Sequence, residues 1–198
     1  MSPASGAATL LMLHKPKGYV VTRSDEQGRK TVYALLPAWA FGEDWMPVGR
    51  LDLDSRGLLL FSKDGKDVDA LTRPGGLPKT YEVLVRGLVT REHIELALAG
   101  VATAAGTCRA RSVEVLGRAG PKTRLNVVLD EGLNRHIRRL FGAMKDPKFG
   151  TPLKVLELKR IAIGALPLDV PSGQWRFLTP EEASGLLRSV SREPRPRL

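Results

Sequence analysis

The 198-residue sequence has one cysteine, Cys108, and three histidines, His14, His93 and His136. A single thiol excludes an intrachain disulfide and any zinc site built on cysteine pairs. The histidines lie far apart without ligand spacing, so each reads as a packing or surface residue and no metal is expected. No run approaches the roughly 18 apolar residues that a helical membrane span needs. The first residues, MSPASGAATLLMLHKPKG, have no positive stretch ahead of their short apolar run, so no secretory leader is expected. Neither G-x-G-x-x-G nor G-x-x-x-x-G-K-[ST] occurs, so no nucleotide cofactor is expected. There is no internal repeat. These absences together read as a reduced, cytoplasmic protein.

What is present is an ordinary globular composition, 42% hydrophobic and 26% charged. The length suits one medium domain, or two small lobes sharing a core. The charge balance is less ordinary: 31 Lys and Arg against 21 Asp and Glu give +10, which points to a polyanionic partner, nucleic acid first.

Along the chain, residues 1–8 are small and polar and expected to fray. Leu10 to Leu13 reads as a buried strand, followed by the turn His14–Gly18 and a second short strand, Tyr19 to Thr22. A charged loop leads to a short helix from Thr31 that Pro37 ends, then to a loop carrying Trp39, Phe41 and Trp45. Leu58 to Phe61 predicts a central strand and Lys66 to Thr72 a helix. Lys79 to Arg86 alternates, with Tyr81, Val83 and Val85 on one face. Thr90 caps a helix that Gly100 closes. Residues 109–116 and 123–130 read as paired strands. In Asn134 to Met144, residues Ile137, Leu140, Phe141 and Met144 form one helical stripe with Asn134 as cap. Strands at Val155 to Ile163 and Gln174 to Leu178 and a helix at Pro180 to Val190 follow. The basic, proline-interrupted tail, 191–198, is expected to be disordered. Strands outnumber helices without regular βα alternation, which favours an α+β fold with a mixed, mainly antiparallel sheet.

The segment GRLDLDSRG places Asp52 and Asp54 beside a glycine-rich turn. An EF-hand loop fails at its fifth position, Arg56, and at its twelfth, Lys63, where a bidentate Glu is required. An Asp-x-Asp metal site of the glycosyltransferase kind is opposed by Arg50 and Arg56, which lower cation affinity. On residue chemistry alone that metal site stays open beside two other readings: a nucleophilic or basic carboxylate held by an arginine, and a turn aspartate bonding its own backbone. On the helix, about 100° per residue places Arg138 nearer the edge of the buried stripe than Arg135 or Arg139.

Four motifs settle the choice by resemblance. Gly49 to Gly65 (GRLDLDSRGLLLFSKDG), Leu13 to Gly18 (LHKPKG), Lys79 to Val83 (KTYEV) and Asn134 to Phe141 (NRHIRRLF) resemble, in order, the signatures of RsuA-type pseudouridine synthases, which act on ribosomal RNA. His14 stands where Asn is commoner, and His136 where Gln is. The chain begins almost at the Lys-Pro-x-Gly motif, so the small N-terminal RNA-binding domain of many relatives is expected to be absent. Residues 145–152 (KDPKFGTP) read as an extra loop where relatives turn tightly.

The resemblance implies a pseudouridine synthase fold of two lobes with flanking helices and a central cleft, covering residues 9–190. It implies that a stand-alone, monomeric enzyme isomerises a uridine of ribosomal RNA, 23S ahead of 16S. Asp52 would be the catalytic carboxylate, attacking covalently or removing a sugar proton, and Asp54 structural. Arg138 would keep Asp52 ionised, and Tyr81 would stack on the uracil and assist proton removal at C5. Arg50 would fill the space left by a flipped base. Lys15, Lys17, Lys79, Arg135, Arg139, Lys159 and Arg160 would hold RNA. A non-catalytic RNA-binding or ribosome-assembly module of the same fold is the alternative.

Overall fold

The computed structural model describes residues 10–73, 75–104 and 106–192. In chain order the elements are β1 (Leu10–Lys15), a 3-10 turn (Val32–Leu35), α1 (Ala38–Gly42), β2 (Met46–Val48), β3 (Arg56–Ser62), α2 (Gly65–Thr72), β4 (Lys79–Arg86) and α3 (Arg91–Ala99). They continue with β5 (Val101–Thr103), β6 (Gly106–Cys108), β7 (Ser112–Ala119), β8 (Lys122–Leu129), α4 (His136–Gly142), β9 (Lys154–Ile163), β10 (Leu166–Pro167), β11 (Trp175–Phe177) and α5 (Pro180–Arg192). The chain divides into two units: residues up to 77 with those from 160 onward, and residues 78–159. The α+β class and the mainly antiparallel pairing read from the sequence are both found.

The first unit is built on β1 and β3, paired antiparallel from Leu10↔Ser62 to Lys15↔Gly57. β11 flanks β1 on its other side, and β2 pairs with β3. The continuous apolar runs LLML and LLLF have a physical reason: both sheet faces are covered, so no alternation with polar residues is needed. Leu10, Met12, Leu58 and Leu60 pack on one face with Leu71 of α2 and Ala183, Leu186 and Val190 of α5. The opposite face meets an aromatic group. Tyr33 stands edge-on to Phe61 at 5.8 Å, Phe177 lies 5.7 Å from both Trp39 and Trp45, and Trp45 is fully buried.

The second unit is a meander in which β8 pairs β4 over eight residues, Lys79↔Leu129 to Arg86↔Lys122, and β7 on its other edge. Tyr81, Val83 and Val85 are buried with Leu125, Val127 and Leu129, the face predicted by the alternation. Residues 145–152 form a tight turn held by Asp146. Its carboxylate accepts N–H bonds from Leu88 (2.7 Å), Lys148 (2.8 Å) and Phe149 (3.0 Å), which hold its pKa below the usual carboxylate range.

Several expectations are corrected. Tyr19 to Thr22 is no strand: only a bridge, Val20↔Thr31, forms, because the charged loop after it supplies no partner strand. The aromatic loop contains α1, with Trp45 fully buried, Trp39 half-buried and Phe41 exposed. Asn134 does not cap α4; Arg135 does the turning, in the left-handed region at φ 52, and its side chain makes no capping bond. The hairpin β5–β6 had no periodicity to announce it. Residues 1–8 lie outside the described residues, as do 193–198, while the backbone of 191 and 192 completes α5.

One glycine is needed for the first unit to close. Gly57 has φ 116, and a Cβ there would stand 2.2 Å from the carbonyl oxygen of Arg160. Neither the backbone conformation nor the contact tolerates a side chain. Gly57→Ala is expected to lower the unfolding free energy by about 3–5 kcal/mol. Gly117→Ala, with nothing within 4 Å of the added carbon, should change it by less than about 1 kcal/mol. Urea unfolding midpoints of the two variants check the difference.

Candidate active site

In the first unit the segment 49–55 leaves β2 and turns into β3. Gly49 takes φ 72, and the Ser55 N–H bonds the Asp52 carbonyl at 3.1 Å, so Asp52 opens a tight turn. The Gly18 N–H donates to the Leu53 carbonyl at 2.8 Å, tying the Lys-Pro-x-Gly turn to the same segment. Beneath it lies Lys15, the last residue of β1 and fully buried. Its ammonium donates to the carbonyls of Ser55 (2.8 Å), Asp52 (3.0 Å) and Pro16 (3.1 Å). Burial pushes its pKa from 10.5 down to about 8, against the opposing pull of the Asp52 and Asp54 carboxylates.

This corrects the expectation that Lys15 is a phosphate contact: all three N–H donors point at backbone of its own unit. Arg160 is corrected likewise. It is 4% exposed and its Nε donates to the Leu58 carbonyl at 2.7 Å, so it braces β3. Lys17 and Arg50 are exposed, as a backbone or base contact requires, and Asp52 is half-buried with Asp54 exposed.

A cavity of about 420 Å³ opens against Arg50, Leu51, Asp52 and Leu53, walled on its other side by residues of the 20–29 loop. That loop is closed by an ion pair the sequence reading passed over. Asp25 accepts from the Arg29 backbone N–H at 2.7 Å and from its guanidinium at 2.6 Å, which keeps the Asp25 pKa low. The Asp25-x-x-Gly-Arg29 spacing, with Gly28 at φ 67, was the available signal.

The second unit carries Tyr81 and Arg138. Tyr81 sits on β4 and is 7% exposed. Arg138, on α4, is half-buried and donates from Nη1 to the Val155 carbonyl at 2.9 Å, which fixes the guanidinium stem. Arg139 is half-buried and reaches Asn134 only at 3.4 Å, and Arg135 is exposed. Lys79 and Lys159 are half-buried on β4 and β9. Position on the helix thus separates Arg138 from Arg135 as the periodicity predicted, but Arg139 is as covered as Arg138. All three histidines are buried and hydrogen-bonded: His14 to the Val170 carbonyl, His93 to the Lys145 carbonyl, and His136 to the Arg109 N–H. Among the described residues no cluster of His, Cys, Asp and Glu has metal-holding geometry, and no helix is long and apolar enough to cross a membrane.

The aspartate turn anchored by Lys15 thus belongs to the first unit, and Tyr81 and Arg138, on strand and helix, belong to the second. The family model for RNA pseudouridylate synthases matches residues 9–143, and the chain belongs to that family. It is 36% identical over 188 residues to a ribosomal large subunit pseudouridine synthase B of Vibrio cholerae, covering 93% of this chain and 56% of the relative. To the protein of that description from Pseudomonas aeruginosa it is 34% identical over 195 residues, covering 96% and 48%. The chain spans about half the length of these curated relatives. Among solved structures, a crystal structure of a pseudouridylate synthase aligns with a TM-score of 0.76 at 26% identity, over 92% of this chain and 74% of that one. A chain of an H/ACA ribonucleoprotein bound to a substrate RNA shares the fold, with a TM-score of 0.59 at 20% identity over 81% of this chain and 49% of that one.

The Lys15 pKa carries a stability consequence. Because the folded value, about 8, lies below the ordinary 10.5, the folded protein holds fewer protons than the unfolded chain between those values. Stability from this group therefore rises with pH across that window, and the penalty for the charged form is fully present below it. The stability difference between the wild type and Lys15→Met should shift in favour of the wild type from pH 7.5 to pH 10. Unfolding midpoints at the two pH values measure it, and a constant difference would show that Lys15 titrates normally.

Proposed function

We propose that this chain isomerises a uridine of ribosomal RNA to pseudouridine, with large-subunit RNA as the substrate and Asp52 as its catalytic carboxylate. The observation that carries the reading is the backbone of the Asp52 turn, held from below by the Lys15 ammonium while the turn borders an open cavity. The buried cation holds the carbonyls of Asp52, Ser55 and Pro16 together, which supports a turn built to present the Asp52 carboxylate in a fixed position.

The reaction breaks the bond from uracil N1 to ribose C1′ and forms one from C5 to C1′. The proton on C5 is lost and N1 regains one, so the change is an isomerisation with no redox partner. Asp52 serves either as nucleophile at the sugar or as the base that removes a sugar proton, and in both roles it must be ionised. Arg138 is the cation assigned to keep it so. Tyr81 offers a ring to stack on the uracil and a hydroxyl to take the C5 proton. The target base must leave its stack, at a cost of about a few kcal/mol, and Arg50, exposed beside Asp52, fills the gap. Lys17, Lys79, Arg135, Arg139 and Lys159 hold the backbone, making binding salt-dependent. The enzyme acts as a monomer in the cytoplasm. Relatives of this description are named for the large subunit, and this supports the choice of RNA.

Pseudouridine in transcripts of large-subunit RNA, mapped by carbodiimide modification and primer extension, tests the proposal. The wild type should introduce pseudouridine at a defined uridine. Asp52→Asn should fold with an unchanged thermal midpoint and lose at least about 10²–10⁴-fold in rate, whereas Asp54→Asn should keep its activity. Wild-type turnover by Asp52→Asn would overturn the assignment. Tyr81→Phe should keep substrate affinity and lose rate, since the ring remains and the hydroxyl does not.

A further inference from the structure

A second cavity, of about 230 Å³, lies wholly within the second unit and contains none of the residues assigned to catalysis. Its walls are Ala99, Thr107, Arg109, Arg111, Asp130, Glu131 and His136. It is smaller than the roughly 300–1,000 Å³ of pockets for drug-sized ligands, and suits one planar ring system.

Its polar groups fall into two sets. Arg111 and Asp130 are committed to each other, Nη1 to carboxylate oxygen at 3.1 Å, which holds that guanidinium in place. The rest make no ion pair with one another among the described residues. His136 is 5% exposed, and its Nε2 accepts the Arg109 backbone N–H at 3.1 Å, so the neutral ring must carry its proton on Nδ1. Burial pushes the imidazole pKa down and keeps the ring neutral. That Nδ1–H is buried and has no acceptor among the described residues. An orphaned buried donor costs about 1–3 kcal/mol, and such a group in a native fold calls for an explanation. Arg109 and Glu131 are exposed, and neither makes an ion pair among the described residues.

The cavity thus offers donors from Arg109, one carboxylate acceptor from Glu131, and the Arg111 guanidinium plane, with the His136 ring in its wall. A phosphate would meet repulsion from two carboxylates. A base whose edge carries paired donors beside acceptors fits both sets. Guanine does: N1–H and N2–H suit the two oxygens of one carboxylate, while O6 and N7 suit the paired donors of an arginine. Arginine planes stack on bases. We propose that this cavity is a guanine-binding subsite, and that Glu131 and Arg109 read the base. That the guanine belongs to the RNA substrate rests on the function proposed above; the base chemistry of the cavity does not.

Titration of the full chain with GMP, AMP, CMP and UMP, followed by NMR, tests the subsite. GMP should shift the His136 ring resonances and bind at least about tenfold more tightly than the other three, and Glu131→Gln and Arg109→Ala should each weaken GMP about tenfold or more. Both side chains are exposed, so these variants keep the fold. Equal affinity for the four nucleotides, or no change in Glu131→Gln, overturns the proposal. An RNA pentamer with one central guanosine should bind more tightly than GMP; weaker binding would overturn the assignment to RNA. Asp52→Asn should bind GMP as the wild type does, so loss of the catalytic assignment and loss of the subsite are separately visible.

Discussion

A lysine at the end of a strand with no solvent-facing side has to find its acceptors inside the protein. Lys15 finds three backbone carbonyls, two of them in the Asp52 turn. Removing one partner of such a set leaves buried acceptors unpaired at about 1–3 kcal/mol each. The burial that costs the lysine its normal pKa also places its ammonium to hold the turn that carries Asp52, the proposed catalytic carboxylate. The Gly18 amide, on the turn just after Lys15, adds a second tie to Leu53. The Lys-Pro-x-Gly motif and the Gly-Arg-Leu-Asp motif, far apart in sequence, are therefore two halves of one local structure.

That arrangement depends on the strands beneath it. β1 and β3 are apolar at consecutive positions because helices cover one face and an aromatic group the other. A doubly covered pair of strands is stiff, and the lysine at its end inherits a fixed position. Gly57 and Arg160 complete the support, since Arg160 can brace the Leu58 carbonyl only where the strand at Gly57 has no side chain.

Much of this was legible in the residues. The runs LLML and LLLF, the alternation of KTYEVLVR and the stripe through Ile137, Leu140, Phe141 and Met144 each state their burial, because apolar periodicity is what packing selects. Motif order was enough to name the family. What stayed hidden was the partner of each polar group. Lys15 and Arg160 look like surface cations in a basic chain, and only the closure of the sheet over them shows that their donors are spent on carbonyls. Asp146 looked like part of a loose loop, yet it organises that loop by accepting three amides. His136 stood out only as a replacement for Gln, with nothing to say that one nitrogen would be satisfied and the other not. Backbone groups are invisible in a sequence pattern, and in this protein they are the main partners of its buried charges.

Everything at this site rests on Lys15 fixing the Asp52 turn. Amide hydrogen exchange of Gly18 and Ser55, compared between the wild type and Lys15→Met, tests it most directly. Both amides donate to carbonyls of the turn, to Leu53 and Asp52. Their protection should fall in the variant by at least about tenfold, as expected when a local opening loses about 1.4 kcal/mol, while amides in the centres of β1 and β3 keep theirs. Unchanged protection at Gly18 and Ser55 in a folded Lys15→Met variant would contradict it.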